Sequence, residues 1–228
     1  MEFNWQVEKI PIFKDNFVFV LHNTKDAIVV DPGEPSAVIE YLTKFQLKCQ
    51  MILITHHHAD HIDGVLEIKN KFSCPVYAPL KNQIQLEYLA TDWVKDSDEV
   101  LFQDLKFKVL ELPGHTLGHI AYSLAQQKWI FSGDVLFALG CGRLFEGSFE
   151  QMFNSLQKIK ELDNKTLIFC THDYFSNNQK FCLKENISFE GYRPVHPLLL
   201  EQEKKFNPFL LAADVPQFQR IREKRNQF

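Results

Sequence analysis

Thr55-His56-His57-His58-Ala59-Asp60-His61 follows directly on the apolar run Met51-Ile52-Leu53-Ile54. Four imidazoles and a carboxylate thus crowd into six residues at the end of a short β-prone segment. Such a run, stopping abruptly at metal-ligand side chains, reads as a buried strand delivering ligands to the rim of a sheet. Packing so many polar groups behind a buried strand is costly unless something satisfies them. A divalent cation does so, and His with Asp is a set that zinc or iron accepts. The competing reading is a solvated loop that happens to be rich in histidine.

The rest of the chain argues against that competitor. His115 and His119, in Leu112-Pro113-Gly114-His115-Thr116-Leu117-Gly118-His119, follow the strand-like Phe107-Lys108-Val109-Leu110. Asp134 ends Phe131-Ser132-Gly133-Asp134 after Trp129-Ile130, and His172 sits in Cys170-Thr171-His172-Asp173 after Thr166-Leu167-Ile168-Phe169. Each group repeats one pattern: an apolar run, a small or turn-forming residue, then a ligand. Ligands on several strand ends converge only if the strands share sheets and turn one edge to one place.

The motif His56-x-His58-x-Asp60-His61 with His115, Asp134 and His172 resembles that of the metallo-β-lactamase superfamily. Within it, Gly140-Cys141-Gly142-Arg143-Leu144-Phe145-Glu146-Gly147 resembles the glyoxalase II, or hydroxyacylglutathione hydrolase, family, as do Asn207-Pro208-Phe209-Leu210 and Arg222-Glu223-Lys224-Arg225-Asn226-Gln227-Phe228. The resemblance runs over essentially the whole chain. The metal motif identifies only the superfamily, and the Gly-Cys-Gly-Arg segment and the basic C-terminus carry the narrower assignment.

The resemblance implies an α/β fold: a four-layer αββα sandwich over residues 1–172, then a small C-terminal helical, substrate-binding domain over residues 173–228. It implies that His56, His58 and His115 hold one metal, that Asp60, His61 and His172 hold a second, and that Asp134 bridges both. Asp60 and Asp134 are then the catalytic carboxylates. Seven protein ligands exceed what one tetrahedral site takes. Two divalent ions, zinc foremost with iron or manganese as alternatives, sit about 3.5–4 Å apart in such centres and leave a bridging position for water. Their charge lowers the pKa of that water, so hydroxide is at hand near neutral pH to attack a thioester carbonyl. A thiolate leaves without a strong general acid, because thiols have a pKa near about 8.5. No Ser-His or Cys-His pair is needed.

The implied substrate is S-D-lactoylglutathione, cleaved to D-lactate and glutathione in the second step of methylglyoxal detoxification. Glutathione carries carboxylates and a peptide backbone, which call for cations and hydrogen-bond donors. Arg143, Leu144, Phe145, Tyr174, Arg222 and Arg225 match the family's substrate-binding positions. Arg222 and Arg225 lie three apart and, on a helix, project from one face. The chain departs from the family pattern in three places. Arg225-Asn226 stands for Lys-Asp, Leu211 for an Arg, and Phe145 for the Tyr of some members. Of the other histidines, His57 should point away from the metals, His119 is either a hydrogen-bond orienter or plainly structural, and His22 and His196 are ordinary. Rival readings are another thioesterase of the superfamily, a one-iron persulfide dioxygenase, or a non-catalytic metal-stabilised module. The complete second ligand set disfavours the dioxygenase, and a structural site would be closed by four, usually Cys-rich, ligands.

Composition bounds the rest. The 228 residues, 45% hydrophobic with 21 Phe, support a sizeable core. A net charge of −4 gives no electrostatic case for nucleic acid. The start, Met1-Glu2-Phe3-Asn4-Trp5-Gln6, lacks the basic and apolar regions of a signal peptide. No apolar run nears the ~20 residues that span a bilayer. Five scattered cysteines without a Cys-x-x-Cys pair argue against disulfides or a zinc knuckle. The expectation is a cytoplasmic monomer with free thiols, acting on a small molecule, with Cys141 packed and inert.

Periodicity predicts strands at Val7–Ile12, Asn16–Leu21, Ala27–Asp31 and Pro75–Ala78, then at Glu99–Phe102, Lys106–Leu110, Ile120–Leu124, Lys128–Ser132 and Thr166–Cys170. It predicts helices at Pro35–Phe45, Ile62–Phe72, Phe149–Leu162 and Asn177–Glu185. The polar stretch before Asp98 reads as irregular.

Overall fold

A computed structural model describes residues 5–228; the first four residues, where the reading of an export signal begins, lie outside the described residues. The chain divides into two compact units, one ending at Lys95 and one spanning Asp96–Phe228.

The first unit is a six-stranded sheet in sequential order: β1 (Gln6–Ile12), β2 (Asn16–His22), β3 (Asp26–Val30), β4 (Lys48–Leu53), β5 (Val76–Pro79) and β6 (Asp92–Val94). The first three strands pair antiparallel and the last four parallel. Parallel neighbours need crossovers. These are α1 (Pro35–Lys44), then α2 (Ala59–Ile62) with α3 (Val65–Phe72), then α4 (Gln83–Leu86). Pro35 opens α1 where a missing N–H costs nothing, and the Glu34 carboxylate accepts from the N–H groups of Ser36 and Ala37. Val38 and Leu42 of α1 and Val65 and Ile68 of α3 bury against Val18, Val20, Val29 and Ile52 of the sheet.

The single helix expected over Ile62–Phe72 is two. The break falls at Gly64, whose N–H donates to the Pro32 carbonyl at 2.9 Å and where a Cβ would lie 2.7 Å from that oxygen. The turn that carries the metal motif is therefore pinned to the Asp31-Pro32-Gly33 turn. The stretch read as irregular before Asp98 contains α4 and β6.

In the second unit the sheet order is β14-β13-β10-β9-β8-β7: Leu198–Leu199, Leu167–Cys170, Trp129–Gly133, Ile120–Leu124, Leu105–Glu111 and Glu99–Phe102. Among these strands only β10 and β13 run parallel, and α5 (Phe149–Lys160) joins them. Ser148 and Gln151 form a reciprocal cap at its start, and Met152, Leu156 and Ile159 face inward. A two-stranded hairpin, β11 (Leu136–Phe137) with β12 (Gly140–Cys141), follows β10. The chain ends in α6 (Phe175–Lys184), α7 (Leu200–Phe206), α8 (Pro208–Leu211) and α9 (Val215–Asn226). Phe181, Phe206, Phe209 and Phe218 of these helices join Ile130, Ile168, Met152 and Leu156 in one hydrophobic cluster.

Candidate metal centre

In the first unit, β4 ends at Leu53 and the chain enters the His-rich turn. Asp31, just after β3, organises that turn. It holds a left-handed backbone conformation, φ 51°, and its buried carboxylate accepts from Thr55 N (2.7 Å) and Thr55 Oγ1 (2.6 Å). The same carboxylate faces His61 Nδ1 at 3.1 Å. A carboxylate only accepts, so the proton sits on His61 Nδ1 and Nε2 carries a lone pair. Because the Thr55 hydroxyl donates to Asp31, its oxygen accepts from His56 Nδ1 at 3.1 Å, which sets His56 in the same tautomer.

Asp31, His56 and His61 offer ligand atoms within 4.8 Å of one another, although Asp31 is already engaged by three hydrogen bonds. His58 caps α2, its ring 4.7 Å from that of His56. Asp60 lies in the first turn of α2, where Asn16 Nδ2 donates to its Oδ2 at 2.7 Å. His57 turns elsewhere: its Nδ1 accepts from Asn82 Nδ2 at 3.0 Å.

In the second unit, His115, Asp134 and His172 meet. His115 Nδ1 donates to the Arg143 carbonyl at 2.7 Å, which leaves a lone pair on Nε2. That nitrogen stands 3.3 Å from Asp134 Oδ2, and His172 Nε2 stands 3.4 Å from the same oxygen. All three residues are buried. Two acceptors opposed at hydrogen-bond distance in a buried site repel unless a cation or a proton lies between them. The other oxygen, Asp134 Oδ1, accepts from Thr171 Oγ1 at 2.6 Å, and Asp134 N–H donates to His119 Nε2 at 3.1 Å. His119 therefore orients the Asp134 segment.

The Gly-Cys-Gly-Arg stretch is built for close approach. A Cβ on Gly142 would fall 1.9 Å from the Asp134 carbonyl, so only glycine lets the chain pass there. The hairpin before it is held by side chains from the C-terminal helices. Asn178 Nδ2 donates to Ala138 O, Asn207 Nδ2 to Phe137 O and Gly140 O, and Leu139 N–H to the Glu203 carboxylate, each at 3.0 Å. Glu203 is fully buried, and Tyr192 and Asn207 also donate to it; burial raises its pKa.

The residues matched to substrate binding are divided. Arg143 and Phe145 are exposed, with the guanidinium 5.6 Å from the ring centre, while Leu144 packs on the unit's core. Tyr174 is half-buried, its ring stacked on His172 at 4.8 Å. Arg222 is only 5% exposed: its Nη1 donates to Cys141 O at 2.8 Å and its Nε to Asn226 Oδ1 at 3.0 Å. Arg225, half-buried, donates from Nε to Asn178 Oδ1 at 3.0 Å. Cys141 is buried, and burial pushes its thiol up to about 11, so it is no nucleophile at neutral pH.

The family profile described as Metallo-beta-lactamase superfamily matches residues 13–172. Hydroxyacylglutathione hydrolase of Bdellovibrio bacteriovorus is 49% identical over 97% of this chain and 97% of its own length. The chain belongs to the hydroxyacylglutathione hydrolase family of the metallo-β-lactamase superfamily. The family's member in Vibrio cholerae serotype O1 is 42% identical over 92% of this chain and 87% of that one. Among solved structures, BLEG-1 B3 metallo-β-lactamase superposes with a TM-score of 0.75 at 27% identity, covering 91% of this chain and all of that one. ETHE1 from Myxococcus xanthus gives 0.73 at 27% identity, covering 93% and 90%.

Several residues that shape this hydroxyacylglutathione hydrolase-family site escape a reading of the sequence. Asp31 enters that reading only as the last residue of a predicted strand, though it lies at a strand end like the candidate ligands. Thr55 and Thr171 each immediately precede a candidate ligand, His56 or His172, and that repeated Thr-His pair is the available signal. The Arg143 contribution to His115 is a backbone carbonyl, which no side-chain pattern reveals.

Proposed function

We propose that this chain is a dinuclear metal-dependent thioester hydrolase that cleaves S-D-lactoylglutathione and related 2-hydroxyacyl-glutathiones to the 2-hydroxy acid and glutathione. The observation that carries the substrate is 49% identity, over 97% of both chains, to a hydroxyacylglutathione hydrolase. The donor chemistry supports the metal: in each unit the hydrogen bonds of the ligand histidines put protons on Nδ1 of His56, His61 and His115 and lone pairs on Nε2.

We assign His56, His58 and His115 to one ion and Asp60, His61 and His172 to the other, with Asp134 shared, as in the family. Zinc suits this imidazole and carboxylate set, as do iron and manganese. When bound, two such ions supply a hydroxide nucleophile at neutral pH and an electrophile for the thioester carbonyl. The protein's part is orientation. Asp31 and Thr55 set His56 and His61, the Arg143 carbonyl sets His115, and Thr171 fixes one oxygen of Asp134 so that the other faces His115 and His172. Arg143, Phe145, Tyr174 and Arg225 line the glutathione side, with Leu144 packed behind them. Arg222 supports that side by holding Cys141. Residues 173–228 form the substrate-binding part and residues 1–172 carry the metal ligands. The working unit in this reading is a cytoplasmic monomer. Among the described residues no helix is long and apolar enough to cross a membrane.

The test is steady-state hydrolysis of a panel of glutathione and coenzyme A thioesters. The reading expects 2-hydroxyacyl-glutathiones to give the highest kcat/KM. A preference for coenzyme A thioesters, or no turnover of either with metal present, would overturn it.

A further inference from the structure

Cys49 and Cys74 have no part in the proposed reaction, yet their sulfurs lie 3.7 Å apart. Both are buried, at 1% and 5% exposure, in the first unit. Cys49 lies on β4, where the register against β3 shifts between Ala27 and Ile28, opposite Cys49 and Met51. Cys74 lies between the left-handed Ser73 that ends α3 and the start of β5. Its neighbour Ser73 is exposed, and Cys74 itself is the more exposed of the two cysteines. The Cys49 thiol is also within reach of Met51 O at 3.6 Å.

We propose that Cys49 and Cys74 are a dithiol site that hydrogen peroxide oxidises to a disulfide, closing a covalent ring over the 24 residues 50–73 and so around the entire His56–His61 motif. Cys74 attacks the peroxide, taking one oxygen to become a sulfenic acid as the O–O bond breaks and water leaves. Cys49 then attacks that sulfur: the S–S bond forms, the S–O bond breaks, and the second water carries off the Cys49 proton. Two thiols are oxidised and one peroxide is reduced to two waters. The order follows from the environment. Cys74 is the less buried of the two and has the Lys69 charge nearby, which favours its thiolate, whereas Cys49 is 1% exposed. Bringing the sulfurs from 3.7 Å to the ~2.05 Å of a disulfide is a movement of under about 2 Å, and the bulged register of β4 gives local slack.

The metal-loaded protein is treated with stoichiometric hydrogen peroxide, alkylated and mapped without reduction by mass spectrometry. A peptide joining Cys49 to Cys74, lost on adding dithiothreitol, is expected, with Cys141, Cys170 and Cys182 alkylated only after denaturation. In Cys49→Ser, the Cys74 sulfenic acid should accumulate and be trapped by dimedone. The oxidised wild type should also unfold at a higher temperature than the reduced form, because the ring restricts the unfolded chain. Absence of the joined peptide, or Cys74 unmodified in both proteins, would overturn the proposal. An unchanged midpoint with the bond formed would overturn its consequence for the ligand turn.

Discussion

Arg222 offers the sharpest test of how the C-terminal helices serve the site. Matched by motif to glutathione binding, it is buried instead, with one donor on the Cys141 carbonyl, one on Asn226, and its guanidinium 5.3 Å over the Phe209 ring. Replacing it with alanine removes a charge-assisted hydrogen bond worth about 1.5–3 kcal/mol and a desolvated cation–ring contact of about 1–2 kcal/mol. Together these predict a loss of about 2.5–5 kcal/mol, and at roughly 2–4 °C per kcal/mol for a chain of this size the midpoint falls by about 5–20 °C. The effect should reach chemistry through the chain, since Cys141 is followed by Gly142, wedged on Asp134, and by Arg143, whose carbonyl orients His115. Arg222→Ala should therefore lower kcat for glutathione and non-glutathione thioesters alike. The assays are thermal unfolding of the metal-loaded protein and steady-state kinetics on both thioester types. A wild-type midpoint combined with a raised KM for glutathione thioesters alone would refute this reasoning and return Arg222 to direct substrate contact.

Three further expectations can be checked on the same preparations. Arg225→Ala should raise KM for glutathione thioesters by about tenfold, or about 1.4 kcal/mol, with kcat nearly unchanged, because a contact remote from the carbonyl is equally strong in ground and transition states; equal losses on thioesters lacking glutathione would count against it. Asp134→Ala should lose at least one metal and most of kcat, whereas His57→Ala, whose ring turns to Asn82, should keep both; metal analysis and kinetics giving the same result for the two would contradict the ligand assignment. Elemental analysis of the active protein should find close to two transition-metal ions per chain, and a strong chelator should abolish activity until metal is restored; full activity with one ion would end the dinuclear mechanism.

The parts legible in the sequence are those where burial writes a pattern. All five residues of β3 and most of β2 are buried, and they read as strands because apolar runs bounded by turn residues leave little else. The candidate ligands stand out because a strand end carrying His or Asp is conspicuous. The C-terminal half of the first unit is not: in α4 and its flanks, Ile84 is 87% exposed and Tyr88 60%, so no amphipathic face forms to be read. The break in Ile62–Phe72 depends on Gly64 meeting the Pro32 carbonyl, a contact between segments 32 residues apart. β14 is two residues long and exists only through pairing with β13. Arg222 shows the limit for side chains: spacing assigns it a helix face, but Cys141, 81 residues away, decides what that face meets.

One device recurs in the two units and orients the side chains proposed as metal ligands. Thr55 and Thr171 each follow the end of a buried strand, β4 or β13, and each precedes a histidine proposed as a ligand, His56 or His172. Each hydroxyl donates at 2.6 Å to a buried aspartate, Asp31 in one unit and Asp134 in the other. The consequences differ with what the aspartate then faces. Asp31 has its remaining capacity taken by Thr55 N–H and His61, so it acts as an orienter whose charge favours the tautomers that ligation requires. Asp134 has one oxygen held and turns the other to His115 and His172, so the same hydrogen bond fixes the direction of the oxygen proposed to bind metal. Fixing donors in advance reduces the reorganisation that metal binding would otherwise require, and partners of this kind tune affinity as well as geometry. A threonine suits the position because its hydroxyl can donate to the carboxylate while still accepting from the neighbouring imidazole, as Thr55 does for His56.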